Sequence, residues 1–177
     1  MKKLLVILIA FLAFAACKKK ITELPAVTQT GANTFGAKVN GSLWVPQGFG
    51  PIPANDILEA RMIGRDVIIN ARNFASSPNE TEFELRINDV NAPGTYLLNT
   101  DVVHPANNVS YAYYVKRNIT PDNEWLTSSA STGSVTISKV DTVNWIVSGT
   151  FQFDMLNIYN APQPLSVTEG RFDIKVQ

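Results

Sequence analysis

From Thr34 onward, apolar and polar positions alternate with a period of two, and no stretch carries a helical stripe. The plainest case is Glu82-Phe83-Glu84-Leu85-Arg86-Ile87-Asn88. Its pattern sends Phe83, Leu85 and Ile87 to a core and Glu82, Glu84 and Arg86 to solvent. In Trp145 to Met155 the odd-numbered positions form one apolar face, interrupted only by Gly149. Val135 and Ile137 alternate with Ser134, Thr136 and Ser138, and Phe35, Ala37 and Val39 alternate with Lys38 and Asn40. Strands are predicted near 34–40, 42–46, 56–63, 66–74, 81–89, 94–98, 109–117, 133–140, 143–155 and 165–176. Asn40-Gly41, Gly64-Arg65, Pro93-Gly94 and Asp141-Thr142 sit at the joints, where Gly and Asn tolerate positive φ. This spacing predicts an all-β fold: a single antiparallel β-sandwich or flattened barrel of about 8–10 strands. A chain of this size buries about 70% of its unfolded surface, enough for a core without disulfides.

The last strand carries a phase conflict. Leu165 and Val167 share odd parity, whereas Phe172, Ile174 and Val176 share even parity. Strict alternation cannot bury both sets on one face. One extra residue near Thr168-Glu169-Gly170 restores the phase, so a bulge or break is expected there.

The first residues follow a different logic. Met1-Lys2-Lys3 is a positive start, and Leu4 to Phe14 is an unbroken apolar run. A membrane span needs about 20 apolar residues, so this run reads as the core of a signal peptide, residues 1–16. Ala15-Ala16-Cys17 then resembles the lipobox of bacterial lipoproteins, with Phe14 where Leu is commonest. That resemblance implies cleavage before Cys17 and acylation of its thiol, hence attachment to a membrane through Cys17. Residues 17–32, with Lys18-Lys19-Lys20, Pro25 and Gly31, read as a flexible tether, and 33–177 as one domain. Surface-exported lipoproteins of this kind often carry acidic residues just after the cysteine; none precedes Glu23 here, so the resemblance implies the periplasm-facing leaflet of the outer membrane rather than surface export.

Composition narrows the function classes. Of 15 Lys+Arg, five lie before residue 21, leaving ten against 15 Asp+Glu in the body. A mildly acidic body disfavours nucleic acid as a partner. One Cys and one His exclude a disulfide framework and most His- or Cys-based metal sites.

Several stretches occur in a telling order behind Cys17: Thr30 to Gly41, Trp44-Val45-Pro46, Pro93-Gly94-Thr95-Tyr96, Gly133 to Ile137, Ile146 to Phe151, and Glu169 to Lys175. Together they resemble a family of uncharacterised Bacteroidota lipoproteins carrying a domain of unknown function. Some members have a cysteine where Ala37 stands. Here it has no possible partner, so the resemblance implies no disulfide, and it transfers no catalytic residue.

Candidate chemistry is sparse. His104 lies near Asp101 without HxH or HExxH spacing and without a G-x-S-x-G nucleophile, and reads as an exposed loop histidine. Glu82 and Glu84 alternate with core residues on a solvated strand face and do not read as a glycosidase pair. Segment 101–132 is polar and aromatic, with Tyr111, Tyr113, Tyr114 and Trp125 among several Asn. Parity groups Tyr111 and Tyr113 with Val109 and Val115 on the inward face, leaving Tyr114 and Trp125 as candidate ligand contacts for a sugar. Asp141-Thr142-Val143 resembles the O-glycosylation signal of exported Bacteroidota proteins, with Thr142 accessible in a turn. No catalytic residue, metal ligand or cofactor is assigned. The expectation is a lipid-anchored envelope β-domain that acts without catalysis, either binding a protein or a glycan or supporting an envelope assembly. The alternative is a hydrolase of glycan or envelope polymer.

Overall fold

The computed structural model describes residues 21–48, 57–75, 79–117, 123–159 and 163–176. The signal segment 1–16, Cys17 and Lys18-Lys19-Lys20 lie outside the described residues. Eleven strands follow one another: β1 (Thr34–Val39), β2 (Ser42–Trp44), β3 (Leu58–Ile63), β4 (Asp66–Asn73), β5 (Glu80–Ile87), β6 (Gly94–Leu98), β7 (Tyr111–Arg117), β8 (Glu124–Leu126), β9 (Gly133–Asp141), β10 (Ile146–Asn157) and β11 (Leu165–Lys175).

The strands join antiparallel in the order β2-β1-β11-β10-β8-β7-β5-β4-β3, with β9 and β6 branching from β10. Strand β10 makes the corner: Ile146 to Phe153 pair with β9, while Leu156 and Asn157 pair with β8. The sheet therefore curls onto itself as a half-barrel, in keeping with the expected sandwich or flattened barrel. The short β8 is the strand that alternation did not predict, because three residues are too few to show a period.

Period two decides which side chains fill the curl. Phe83, Leu85 and Ile87 are buried on β5, as are Phe151, Phe153 and Met155 on β10, where Thr150, Gln152 and Asp154 are exposed. Across the core Phe83 meets Phe35 at 6.0 Å, Phe153 at 6.3 Å and Trp44 edge-on at 4.7 Å. Burying each such ring contributes about 2–3 kcal/mol. The chain after β2 also ties the two layers together. Gln47 bridges Asn73, Trp44 Nε1 donates to Thr81 Oγ1 at 2.8 Å, and Asn73 Nδ2 donates to the Val45 carbonyl at 2.8 Å. Beyond β4, the outer edge of β3 has no strand partner among the described residues. Among the described residues, one side of the half-barrel thus stays open.

The expected bulge is present. Gly36 pairs with Arg171 but Lys38 pairs with Thr168, and on the other side Phe151 pairs with Gly170 but Phe153 with Val167. Glu169 supplies the left-handed residue, with φ 53. Gly170 is required for a separate reason, because a Cβ there would run into the Phe151 ring. The slip lets Leu165, Val167, Phe172, Ile174 and Val176 all be buried. At the first hairpin, Asn40 and Gly41 both adopt positive φ, 47 and 77, as a two-residue turn of the twisted type requires.

Three expectations change. Arg86 is buried rather than solvated: its Nη2 donates to Asp66 Oδ2 at 2.7 Å in a recess lined by Asn88, Asp89, Asn107 and Asn108. Trp145 does not open the face of β10, because it sits in the preceding turn. Residues 28–32, read as part of a flexible tether, are fastened to the sheet. The carboxylate of Asp173 on β11 accepts the N–H groups of Thr30, Gly31 and Ala32 and the hydroxyl of Thr28. The folded body therefore begins earlier than residue 33.

Candidate functional site

Tyr114 and Trp125, the expected ligand contacts, belong to the core, at 7% and 6% exposure. Tyr114 is paired with Phe83, whose ring lies 4.6 Å away, and packs against Trp125 at 5.8 Å. Trp125 Nε1 is satisfied by the Gln163 carbonyl at 2.7 Å. The inward face of β7 is thus Ala112 and Tyr114, not Tyr111 and Tyr113. Two valines misled the parity: Val109 lies in the loop before β7, which starts only at Tyr111, and Val115 is buried although it shares the outward parity of Tyr111 and Tyr113.

Tyr111 and Tyr113 instead point to the outer face, where they assemble a polar cluster. Tyr113 pairs with Glu84, and its ring stacks on His104 at 3.7 Å and 1°. Tyr111 donates its hydroxyl to Glu84 Oε1 at 2.5 Å. His104 Nε2 lies 3.5 Å from Glu84 Oε2 without hydrogen-bond geometry. His104 is therefore packed under its loop rather than exposed. Burial works to raise the Glu84 pKa, but His104 and Tyr111 outweigh it and hold the carboxyl below its ordinary value. Burial, and then the acceptor carboxylates Glu84 and Glu124, push the phenols of Tyr111 and Tyr113 up. Glu82 is engaged by Arg117 at 2.7 Å and Arg72 at 3.7 Å. A carboxylate kept ionised and covered cannot serve as a general acid, so this cluster reads as a clasp for the loop before β7.

The accessible aromatic lies elsewhere. Between β9 and β10 the Asp141 carboxylate accepts the N–H groups of Val143 and Asn144 and the side-chain amide of Asn144. Those bonds, led by Asn144, pull the Asp141 pKa down to about 2. Thr142 is exposed in this turn. The turn closes with Trp145 at φ 57, a left-handed position that suits Gly or Asn. A left-handed L-residue costs about 1–2 kcal/mol. Yet the indole is 52% exposed and recovers only part of its burial energy.

Trp145 lies on the wall of a cleft of about 900 Å³ at the open side of the half-barrel. Leu58 and Ala60 of β3 and Val176 supply apolar surface, and Asn33, Asn70 and Asn144 supply amides. Arg61 and Lys175 bring positive charge, while Glu59 is clamped by Arg72 at 3.3 Å. Backbone bonds hold the frame. Val176 N–H donates to the Trp145 carbonyl at 2.8 Å, and Lys175 N–H to Asn33 Oδ1 at 2.9 Å. Strands from both layers thus meet here around one half-exposed indole. Among the described residues, no three His, Cys, Asp or Glu side chains converge as a metal site.

The model of a domain of unknown function, DUF6252, matches residues 58–174. The chain belongs to the DUF6252 family. No curated protein and no solved structure matches it. The DUF6252 match opens at β3 and closes within β11, so it contains Arg61, Asn70, Asn144 and Trp145. Asn33, Lys175 and Val176, which complete the cleft, fall outside the matched span. Alternation had assigned Trp145 to a strand face. The signal that could have revealed it is the Asp141-Thr142-Val143-Asn144 turn grammar, which places the next residue at the turn's left-handed exit.

Proposed function

We propose that this protein is a lipid-anchored cell-envelope domain that binds a saccharide in the Trp145 cleft without catalysis. The half-exposed indole, kept in a costly backbone conformation among three amides, carries the reading. Sugar rings offer apolar C–H faces that stack on indole and hydroxyls that amides recognise. Backbone strain at an exposed bulky residue points to function more readily than to stability. The anchor reading rests on Ala15-Ala16-Cys17 behind an apolar run and on the resemblance to Bacteroidota lipoproteins. Lys18-Lys19-Lys20 would add headgroup attraction of about 1 kcal/mol each, consistent with the periplasm-facing leaflet of the outer membrane. Thr142, exposed beside the cleft-bearing turn, is the proposed O-glycosylation position.

The hydrolase alternative needs two carboxyls flanking the bond to be cut. Among the described cleft residues only Glu59 is acidic, and Arg72 holds it. Thermal shift of the purified chain against glycans tests the binding reading. A ligand at 100 times its dissociation constant adds about 2.7 kcal/mol, a rise of about 5–10 °C at this size. No shift with any glycan, or turnover of one, would overturn it. For the anchor, Cys17→Ser is expected to move the protein from membrane to soluble fraction. For Thr142, intact mass without excess beyond the lipid would remove the glycan.

A further inference from the structure

We infer that the saccharide taken by the Trp145 cleft is acidic, its carboxylate met by Arg61 and Lys175 while the indole carries the ring. This deepens the saccharide reading and rests on it.

The distribution of charge carries the argument. Ten basic residues follow residue 20, in a body with more acids than bases. Seven of them stand in ion pairs: Lys38, Arg65, Arg72, Arg86, Arg117, Lys139 and Arg171. Arg61, Lys116 and Lys175 have no ion-pair partner among the described residues, and two of these three line this one cleft. Both are exposed there, one on β3 and one at the end of β11, on the two layers that flank the opening. The acid nearest to hand, Glu59, is already occupied by Arg72 through both of its oxygens, at 3.3 and 3.4 Å. In an acidic domain, cations without a salt bridge on both walls of a polar cleft make a local positive field, reduced at Arg61 by the Glu84 carboxylate on which it acts, and that field selects a negative ligand. Arg in particular offers paired N–H donors that match a carboxylate.

The test uses the full chain in detergent and calorimetric titration. The probes are tetrasaccharides of galacturonate, of mannuronate and of hyaluronan, each with its methyl-esterified counterpart. The expected result is that at least one acid form binds at least tenfold more tightly than its neutral ester. Arg61→Gln and Lys175→Gln should each remove most of that preference, and raised salt should do the same. Trp145→Ala should abolish binding of both forms. Equal affinity for acid and ester would overturn the acidic assignment and leave the saccharide reading standing. Binding of none of the six probes would overturn the acidic assignment, and failure of neutral glycans as well would remove the saccharide reading. Citrate competing as strongly as the tetrasaccharide would make this a plain anion site and overturn the proposal.

Discussion

The Asp173 carboxylate accepts the Thr30 N–H at 2.9 Å, joining β11 to a residue 143 positions earlier in the chain. Gly31 N–H at 2.8 Å, Thr28 Oγ1 at 2.6 Å and Ser148 Oγ at 2.7 Å complete the cradle, and Asp173 is 1% exposed. Burial alone would raise the pKa of such a group. The donors outweigh it and hold the carboxyl well below the carboxylate range. Backbone amides and hydroxyls carry the charge.

Asp173→Ala is accordingly expected to destabilise the fold by about 3 kcal/mol, because it strands the buried Ser148 hydroxyl and several half-buried donors at once. A depressed carboxylate contributes stability that is present above its unfolded pKa and lost as pH falls through its folded pKa. The wild-type clasp on residues 28–32 should therefore persist under mild acid. Hydrogen exchange of Thr30, Gly31 and Ala32 reads this directly. Equal protection in wild type and variant would show that the cradle does not hold the segment.

The bulge separates two roles that sequence lumps together. Gly170→Ala drives a methyl group into the Phe151 ring and should cost about 2 kcal/mol in urea unfolding. Glu169→Gly relaxes the left-handed residue but breaks the exposed pair with Lys38 at 2.6 Å. Relief of about 1–2 kcal/mol of left-handed strain is opposed by the lost pair, at about 1 kcal/mol or less, and by the greater freedom of Gly in the unfolded chain, at about 1 kcal/mol, so stability should hardly move. A larger loss at Glu169 than at Gly170 would reverse the assignment.

What could be read from residue order follows from the physics of each pattern. Alternation exposed β5, β9 and most of β10 because one face is apolar and the other polar over whole strands. The bulge was legible for the same reason, as a conflict of parity between Val167 and Phe172. The side choice on β7 was not, since Tyr113 and Tyr114 are chemically alike and only pairing with Phe83 and Glu84 distinguishes them. Arg86 is buried and His104 half-buried under loops that fold over the outer face, which periodicity within a strand cannot register. The cleft is assembled from β3, the β9–β10 turn and the end of β11, and no local window contains all three.

The clasp around Glu84 distinguishes structure from catalysis. Glu84→Gln keeps the shape but weakens the hold of Tyr111 and His104, and is expected to cost about 1–2 kcal/mol. Because the native carboxyl is depressed, this stabilisation is present above its unfolded pKa and fades as pH drops through the folded one. Faster proteolysis within residues 99–110 is the expected sign, with ligand affinity at the Trp145 cleft not reduced, since Glu84 acts on Arg61 only by opposing its charge. A loss of affinity with the loop still protected would instead place Glu84 in the binding machinery.

Trp145 offers the sharpest contrast between stability and function. Trp145→Asn removes a half-exposed indole and installs a residue that tolerates φ 57. Relief of the left-handed strain, about 1–2 kcal/mol, opposes the lost partial burial, so stability is expected to stay within about 1 kcal/mol of wild type. The carbonyl bond from Val176 N–H is made by the backbone and survives the change. Binding, however, should fall at least tenfold, because the stacking surface is gone. Denaturant midpoint and titration on the same preparation give both numbers. A variant that unfolds early would assign Trp145 a packing role. One that keeps both stability and affinity would move the ligand away from this cleft altogether.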